Sequence, residues 1–144
     1  MILGIGTDIL ALQRLRDMPP ARLQALAKRV LMPAELIDWQ ALAEAQQAPV
    51  LGKRFAAKEA IAKAYGTGIG AQLSFQDIQL LHDKLGKPHF ELSESAARAL
   101  CQLHGVARLS CHLSVSDEVD YAQAHALIEG HVDAAVLPIA SSEC

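Results

Sequence analysis

The sequence predicts an α+β fold, in which helices alternate with strands and the chain closes on an antiparallel hairpin. A stretch rich in Ala, Lys and Glu predicts a helix over about 50–65. Strict alternation of apolar and polar residues over 109–116 predicts a strand, and a turn at Asp117 and Glu118 leads to a final strand over 121–128. With 144 residues, 51% of them hydrophobic, the chain is long enough for one domain with a buried core.

Caps and turn residues predict the other elements. Pro19 and Pro20 separate two helical stretches, Ser93 is a typical N-cap, and Gly105 is a typical helix end. The expected order is a strand over 1–5 that leads into 6–9, an apolar helical stripe over 23–31, a helix from Pro33 with Leu36, Ile37, Trp39 and Leu42 directed to the core, a loop over 44–49, the helix over 50–65, strands over 75–81 and 89–92, and a helix over 93–103.

Composition and charge argue against several classes of protein. No apolar run reaches the roughly 18 residues that a membrane-spanning helix requires, and the first six residues lack the pattern of a signal peptide. A net charge of −3 with 4% aromatic residues disfavours nucleic-acid binding. The three cysteines show no Cys-x-x-Cys spacing, which predicts neither a disulfide framework nor a zinc site and is consistent with a cytoplasmic protein.

The predicted central helix places Phe55, Glu59 and Lys63 on one face, because they are four residues apart. Gly66 supplies the left-handed end of this helix, and the turn over 66–68 offers backbone N–H groups of the kind that bind phosphate oxygens. The alternative is an exposed Glu–Lys pair worth roughly 0.2–0.5 kcal/mol, followed by an ordinary helix end.

Asp8 stands where the first predicted strand gives way to a helix. Such a residue either accepts a backbone N–H as a helix N-cap or presents a functional carboxylate, and the sequence alone leaves both open. The preceding Gly4 and Gly6 match a truncated dinucleotide-binding fingerprint, but the third glycine is missing, so they give little support for a nucleotide site.

The window over 14–29 is strongly basic. It contains five Lys or Arg residues and one acid, in a chain whose net charge is −3. Basic residues beside exposed apolar ones suggest the docking of an acidic macromolecule, which electrostatic steering would favour. The alternative is a solvated basic face without a partner.

Five sequence blocks occur in order: Gly-Ile-Gly-Thr-Asp-Ile over 4–9, Lys-Arg-Phe-Ala-Ala-Lys-Glu-Ala over 53–60, Lys-Ala-Tyr-Gly-Thr-Gly-Ile over 63–69, Leu-Gly-Lys-Pro over 85–88 and His-Leu-Ser over 112–114. Together they resemble the holo-acyl-carrier-protein synthases, small phosphopantetheinyl transferases of fatty-acid synthesis. The match extends over about 1–129, which we expect to form a single domain, with 130–144 as a tail of unassigned role.

The resemblance implies a reaction and its participants. Members of this family move 4′-phosphopantetheine from coenzyme A to a serine of an acidic acyl carrier protein and release adenosine 3′,5′-bisphosphate. They are homotrimers with active sites in clefts between subunits. The resemblance implies a Mg²⁺ site at Asp8 and Glu59, whose hard oxygen ligands suit this ion, and Lys63 as a second cation on the diphosphate. His112 would contact a nucleotide phosphate or assist proton transfer, with an ordinary surface histidine as the alternative.

The resemblance also implies two groups of binding residues. Those for coenzyme A are Lys53, Arg54, Lys63, Gly66, Thr67, Gly68, Lys87, Pro88 and His112. Those for the carrier protein lie in the basic window and are Arg14, Met18, Arg22 and Arg29. Two positions depart from the family pattern, namely Ala11, where Glu is common, and Asp117, where His is common.

Two other functions remain as alternatives. One is a module that binds a carrier protein without transferring anything, against which the presence of both Asp8 and Glu59 argues. The other is a metal-dependent hydrolase of the coenzyme A diphosphate, for which the basic docking surface would have no purpose. Incubation with coenzyme A, Mg²⁺ and an apo carrier protein distinguishes all three.

Overall fold

The computed structural model describes residues 1–132, and it confirms the predicted α+β class. The elements in chain order are β1 (Ile2–Ala11), α1 (Gln13–Arg16), α2 (Pro20–Val30), α3 (Pro33–Gln40), α4 (Glu44–Ala64), a 3₁₀ turn (Phe75–Asp77), β2 (Ile78–His82), β3 (Pro88–Leu92), α5 (Glu94–His104), β4 (Arg108–Asp117) and β5 (Tyr121–His131). Within the described part of the chain, no helix is both long enough and apolar enough to cross a membrane.

A three-stranded antiparallel sheet in the order β1-β5-β4 carries the long helix α4 on one face. The register aligns Asp8 with the buried Ala124, and Ile5 with Leu127. Because successive side chains of a strand point to opposite faces, Asp8 faces α4 while Ile5 faces away from it. β2 and β3 form a separate antiparallel pair.

Gly4 and Gly6 of β1 allow α4 to approach the sheet closely. A methyl group added at Gly6 would overlap the carbonyl oxygen of Ala60, and one added at Gly4 would overlap that of Ala64. These two residues of α4 are themselves buried alanines, whose small side chains permit the same close approach. The glycines therefore serve helix–sheet packing, which fixes the position of Asp8 two residues later in the strand.

Two clusters of buried apolar side chains hold the helices in place. The first joins α4, α5 and the sheet, and it includes Tyr65 and Ile128. The second joins α2, α3 and the first half of α4, and it includes Leu31, Trp39 and Leu51. Full burial of a large apolar side chain contributes roughly 1.5–3 kcal/mol, so apolar packing is the main force that holds α2 and α3 against α4.

α4 begins at Glu44, so the loop predicted for this stretch is wrong. Pro49 lies inside the helix and lacks the backbone donor that a helical residue normally supplies. Two tertiary contacts offset this loss. Ala48 is buried in the second apolar cluster, and the indole N–H of Trp39 donates to the carbonyl oxygen of Gln47 at 2.8 Å.

Two strands of the three-stranded sheet, β1 and the central β5, are longer than predicted because each has a paired neighbour. β1 continues to Ala11, opposite Tyr121, so Asp8 lies inside a strand and the N-cap alternative is wrong. β5 continues to His131, opposite Arg108, and passes its predicted end by three residues. Residues 133–144 of the predicted tail lie outside the described residues.

Two smaller differences concern short segments. Residues 75–77, predicted as strand, form a 3₁₀ turn that is fixed by Asp77, whose carboxylate accepts hydrogen bonds from the N–H and the hydroxyl of Ser74. Ile37 was predicted to enter the core but is 68% exposed. The buried residues of α3 are Glu35 and Trp39, which are four residues apart and share one face, whereas Ile37 lies two residues from each and points away from the core.

Candidate active site

The inner face of β1 and the last turns of α4 bring together two carboxylates and a lysine. Lys63 Nζ donates to Asp8 Oδ1 at 2.8 Å and to the carbonyl oxygen of Thr7 at 3.1 Å. Glu59 lies one turn before Lys63 on the same face of α4. Three of the four predicted catalytic residues therefore meet in one place. The alternative of an exposed Glu59–Lys63 pair is wrong, since Lys63 binds to the strand.

The pKa of the Glu59 carboxyl lies above its ordinary value, first because the group is partly buried and second because the Asp8 carboxylate is nearby. The ammonium of Lys63 and the guanidinium of Arg29 act on this pKa in the opposite direction. A carboxylate that is disfavoured by burial and by a neighbouring acid is stabilised when a cation binds beside it. The electrostatics of the site therefore favour a bound cation.

Asp8 and Glu59 offer oxygen ligands only. Among residues 1–132, no group of three or more His, Cys, Asp or Glu side chains is arranged to hold a metal ion. Two carboxylates without a third protein ligand suit Mg²⁺, which keeps several waters and takes further ligands from substrate phosphates. Zinc sites in proteins normally have nitrogen or sulfur ligands. The donor set therefore fits the predicted ion.

The turn after α4 differs from the predicted phosphate cradle. Gly66 adopts the expected left-handed conformation, with φ +80°. Its N–H donates to the carbonyl oxygen of Lys63 at 3.0 Å, and the N–H groups of Thr67 and Gly68 both donate to that of Ala62 at 3.2 Å. These donors cap the helix, so the prediction that they are free to bind phosphate oxygens is wrong. Contact between other atoms of this turn and coenzyme A stays a prediction.

A cavity of about 410 Å³ lies beside the first half of α4 and is lined by three of the predicted coenzyme A residues, Lys53, Arg54 and Pro88. Lys53 Nζ lies 3.4 Å from Asp117 Oδ1, so the residue that departs from the family pattern forms an ion pair at the cavity wall. Ten residues separate Lys53 from Lys63, which is about 15 Å along a helix. Within one chain, the predicted coenzyme A residues therefore form two separate groups.

Lys87 stands at the end of a well-braced turn between β2 and β3. Asp83 Oδ1 accepts hydrogen bonds from the N–H of Leu85 at 2.8 Å and from that of Lys87 at 2.9 Å. The N–H of Asp83 donates to the carbonyl oxygen of Lys87 at 3.0 Å. The bonds from the backbone of Lys87 and Leu85 lower the pKa of the Asp83 carboxyl. The side chain of Lys87 is left exposed and accessible to a ligand.

His112 lies on the opposite face of the sheet from Asp8. His112 is aligned with Leu127 and Asp8 with Ala124, so their partners on β5 are three residues apart and point to opposite faces. His112 Nε2 lies 2.7 Å from Glu129 Oε2. Within one chain, His112 therefore does not join the other three predicted catalytic residues.

The predicted carrier-protein residues lie on α1, α2 and the segment between them. Arg14, Arg22 and Arg29 are exposed, and Met18 is partly buried against the second apolar cluster. Within this group, the guanidinium of Arg29 acts to lower the pKa of the Glu59 carboxyl. The basic surface therefore extends from α1 to the edge of the site that holds the two carboxylates.

Sequence reasoning assigned no role to Lys58 or Glu35, the two buried charged side chains of the described residues. Lys58 Nζ donates to Glu35 Oε2 at 2.7 Å and to the carbonyl oxygen of Val30 at 2.8 Å. Arg54 donates to Glu35 Oε1 at 2.8 Å, so this predicted coenzyme A residue is also part of an internal ion-pair network. In the sequence Lys58 stands among alanines, but this spacing does not show whether its side chain faces the core or the solvent.

Comparisons with known proteins agree with this geometry. A family model for the 4′-phosphopantetheinyl transferase superfamily matches residues 4–124. A holo-[acyl-carrier-protein] synthase of Neisseria meningitidis serogroup A is 45% identical over 131 residues, which cover 90% of this chain and 99% of the relative. One of Vibrio cholerae serotype O1 is 43% identical over 129 residues, which cover 90% of this chain and 98% of the relative.

Solved structures give the same result. The crystal structure of the holo-[acyl-carrier-protein] synthase from Neisseria meningitidis matches with a TM-score of 0.77 at 42% identity, over 90% of this chain and 99% of that one. The crystal structure of a holo-(acyl-carrier-protein) synthase from Bacillus anthracis, in complex with coenzyme A (3′,5′-ADP), matches with a TM-score of 0.74 at 34% identity. The match covers 90% of this chain and 98% of that one. The chain therefore belongs to the holo-[acyl-carrier-protein] synthase family of the 4′-phosphopantetheinyl transferase superfamily.

Proposed function

We propose that this chain is an enzyme that transfers the 4′-phosphopantetheine group of coenzyme A to a serine hydroxyl of an apo acyl carrier protein and releases adenosine 3′,5′-bisphosphate. The proposal rests on membership of the family and on relatives that are themselves holo-[acyl-carrier-protein] synthases. The structural observation that supports it best is that Asp8, Glu59 and Lys63 lie close together between β1 and α4. We further propose that the reaction serves fatty-acid synthesis in the cytoplasm.

The chemistry explains why two acids and a lysine are needed. The reaction breaks a diphosphate, so negative charge on the phosphoryl oxygens must be neutralised while the leaving phosphate departs. Asp8 and Glu59 would hold Mg²⁺, which supplies part of this neutralisation when it is bound. The ammonium of Lys63 is half-exposed beside Asp8 and is placed to donate to a diphosphate oxygen. Lys87 and the residues around the cavity at Lys53 would bind the remaining phosphate groups.

The distribution of the predicted residues supports a homotrimer with its active sites between subunits. The coenzyme A residues form two groups about 15 Å apart along α4, and His112 lies on the opposite face of the sheet from Asp8. That face is partly apolar, with Ile5 75% and Ile9 62% exposed. Packing of copies through this face would bury its exposed apolar side chains. A site between subunits would then let a second chain supply the groups that one chain keeps apart.

The carrier protein would dock on the basic surface of α1 and α2. Carrier proteins of this family are acidic, and Arg14, Arg22 and Arg29 are exposed for charge pairing. The partly buried Met18 between them supplies an adaptable apolar contact. Since Arg29 is close enough to act on Glu59, a carrier protein bound here would have its serine near the two carboxylates.

The test is an intact-mass measurement of an apo acyl carrier protein after incubation with this chain, coenzyme A and Mg²⁺. We expect the mass to rise by that of one 4′-phosphopantetheine, and adenosine 3′,5′-bisphosphate to appear in equal amount. A carrier protein with its serine replaced by alanine is the control and should not gain mass. Release of the bisphosphate without a carrier protein would instead indicate a hydrolase. Binding of the carrier protein without any mass change would indicate a binding module.

A further inference from the structure

Two side chains from outside α2 hold its carboxyl end. The last carbonyl groups of a helix have no partner within it. The amide of Gln76 donates to the carbonyl oxygen of Leu31 at 2.8 Å and to that of Arg29 at 3.2 Å. The ammonium of Lys58 donates to that of Val30 at 2.8 Å, where a cation also interacts favourably with the helix dipole. Lys58 and Gln76 together form a clamp on this helix, the α2 clamp.

Lys58 is fixed in a single orientation. Its side chain is fully buried, and its three N–H groups match three acceptors, the carbonyl oxygens of Val30 and Phe75 and the carboxylate of Glu35. Burial lowers the pKa of this ammonium, and the nearby Glu35 carboxylate acts to raise it. Apolar side chains of similar volume are often as stabilising as a buried ion pair. Stability alone therefore does not explain a lysine at this position.

The α2 clamp joins the docking helix to the catalytic site through neighbouring residues. On α4, Lys58 directly precedes Glu59, and on α2, Val30 directly follows Arg29. Arg29 and Glu59 are within electrostatic range of each other. The hydrogen bond from Lys58 to Val30 at 2.8 Å therefore holds the backbone beside Arg29 against the turn of α4 that carries Glu59. Gln76 fixes the same end of α2 from the 3₁₀ turn.

We propose that Lys58 and Gln76 are positioning residues, which hold the Arg29 end of α2 beside Glu59 so that a docked carrier protein meets the site in the correct place. This inference rests on the proposed function. Neither side chain needs to touch a substrate. Their effect passes through Arg29, and it concerns the carrier protein and not coenzyme A.

Gln76→Glu tests the proposal because it keeps the size of the side chain but replaces the donor with a carboxylate, which repels carbonyl oxygens. We expect kcat/KM for the carrier protein to fall on the order of 10-fold or more, since small misplacements of a bound substrate are costly. The KM and calorimetric affinity for coenzyme A should stay unchanged. Gln102→Glu, on an exposed position of α5, is the matched control and should change neither. No loss, or equal losses for both substrates, would overturn the positioning role.

A double-mutant cycle tests whether the α2 clamp acts through Arg29. In an Arg29→Gln background, Gln76→Glu should lower kcat/KM for the carrier protein much less than it does in the parent chain. Lys58→Met keeps the aliphatic part of the side chain but loses the ammonium. In folded protein, it too should lower kcat/KM for the carrier protein much less in the Arg29→Gln background than in the parent chain. If the losses from Arg29→Gln and Gln76→Glu simply multiply, the two residues act independently and the proposal is wrong.

Amide hydrogen exchange tests the clamp without any assay of activity. In Gln76→Glu, the amides over 27–31 should exchange faster, while those of α5 stay as protected as in the parent chain. Unchanged exchange over 27–31 would overturn the clamp and leave the proposed function intact. If the parent chain transfers no phosphopantetheine, the proposed function fails and the positioning role fails with it, whereas the clamp is still measured by exchange.

Discussion

The ammonium of Lys63 lies 2.8 Å from the carboxylate of Asp8, and the two residues are 55 positions apart in the chain. The contact joins the end of α4 to the middle of β1, where the glycines of the strand bring helix and sheet together. Lys63 is 49% exposed, so this ion pair is worth only about 0–1 kcal/mol. Lys63 can therefore exchange Asp8 for a phosphate oxygen at little cost.

The first prediction concerns the two carboxylates. Asp8→Asn and Glu59→Gln should each lower the rate of transfer by about 10²-fold or more, because each removes a ligand of an ion expected to supply several kcal/mol. Thermal unfolding should change little, since neither carboxylate belongs to an apolar cluster. Glu118→Gln, at an exposed turn, is the control and should keep full activity. Full activity of Glu59→Gln at limiting Mg²⁺ would exclude this site for the ion.

The second prediction concerns the binding of coenzyme A. Lys63→Ala should weaken the calorimetric affinity for coenzyme A by about 10-fold or more, since a hydrogen bond to a charged group contributes roughly 1.5–3 kcal/mol. Lys84→Ala, at an exposed position of the turn before β3, is the matched control and should bind as the parent chain does. Equal affinity of Lys63→Ala and the parent would show that Lys63 does not contact the diphosphate.

The third prediction compares two glycines. Gly6→Ala should lower the free energy of unfolding by about 3 kcal/mol or more, the upper end of the usual cost of overpacking. The reason is that the added methyl group would overlap a backbone oxygen of α4, which cannot move away freely. At Gly70 an added methyl group meets no atom within 4 Å and the backbone is not left-handed, so Gly70→Ala should leave the melting temperature unchanged or slightly raised. Equal melting temperatures for the two variants would contradict the close approach.

Local signals in the sequence were sufficient where the structure depends on local interactions. Ser93 caps α5 by accepting a hydrogen bond from the N–H of Ala96, and Gly105 ends the same helix with φ +63°, as predicted. The beginning of α4 was missed because the contacts that stabilise it, at Trp39 and Ala48, are tertiary. Pairing with β5 likewise extends β1 past the point where its own residues predict an end.

The same limit applies to the candidate site. Asp8, Glu59 and Lys63 were predicted from the resemblance, and the structure brings them together. Lys58 lies in the same block of sequence as Glu59, yet only its burial and its three acceptors show what it contacts. Whether a charge on a helix faces solvent or an acid such as Glu35 depends on elements that are distant in sequence, so composition and spacing alone do not reveal it.

The fourth prediction concerns pH and Asp77. Burial raises the pKa of this carboxyl, but hydrogen bonds from Ser74 and Ser93 outweigh it, so the pKa lies below its ordinary value of 3.8. A lowered pKa in the folded state stabilises the fold above the unfolded value, and this contribution is lost as the pH falls through the folded value. Asp77→Asn should therefore melt lower than the parent at pH near 7, by an amount that shrinks below about pH 3.8. Asp38→Asn, at an exposed position, is the control.

The last prediction concerns the basic surface. Exposed charges at a binding interface act largely on the rate of encounter, and salt screens them with a Debye length of about 8 Å at physiological ionic strength. Reversal of Arg14 and Arg22 to Glu should therefore raise the KM for the carrier protein, leave the KM for coenzyme A nearly unchanged, and flatten the dependence of the rate on salt. Arg98→Glu, on α5 and away from this surface, changes the net charge in the same direction and should do none of these. If the double reversal binds carrier protein as tightly as the parent at low salt, the basic surface is a solvated face and the docking assignment is wrong.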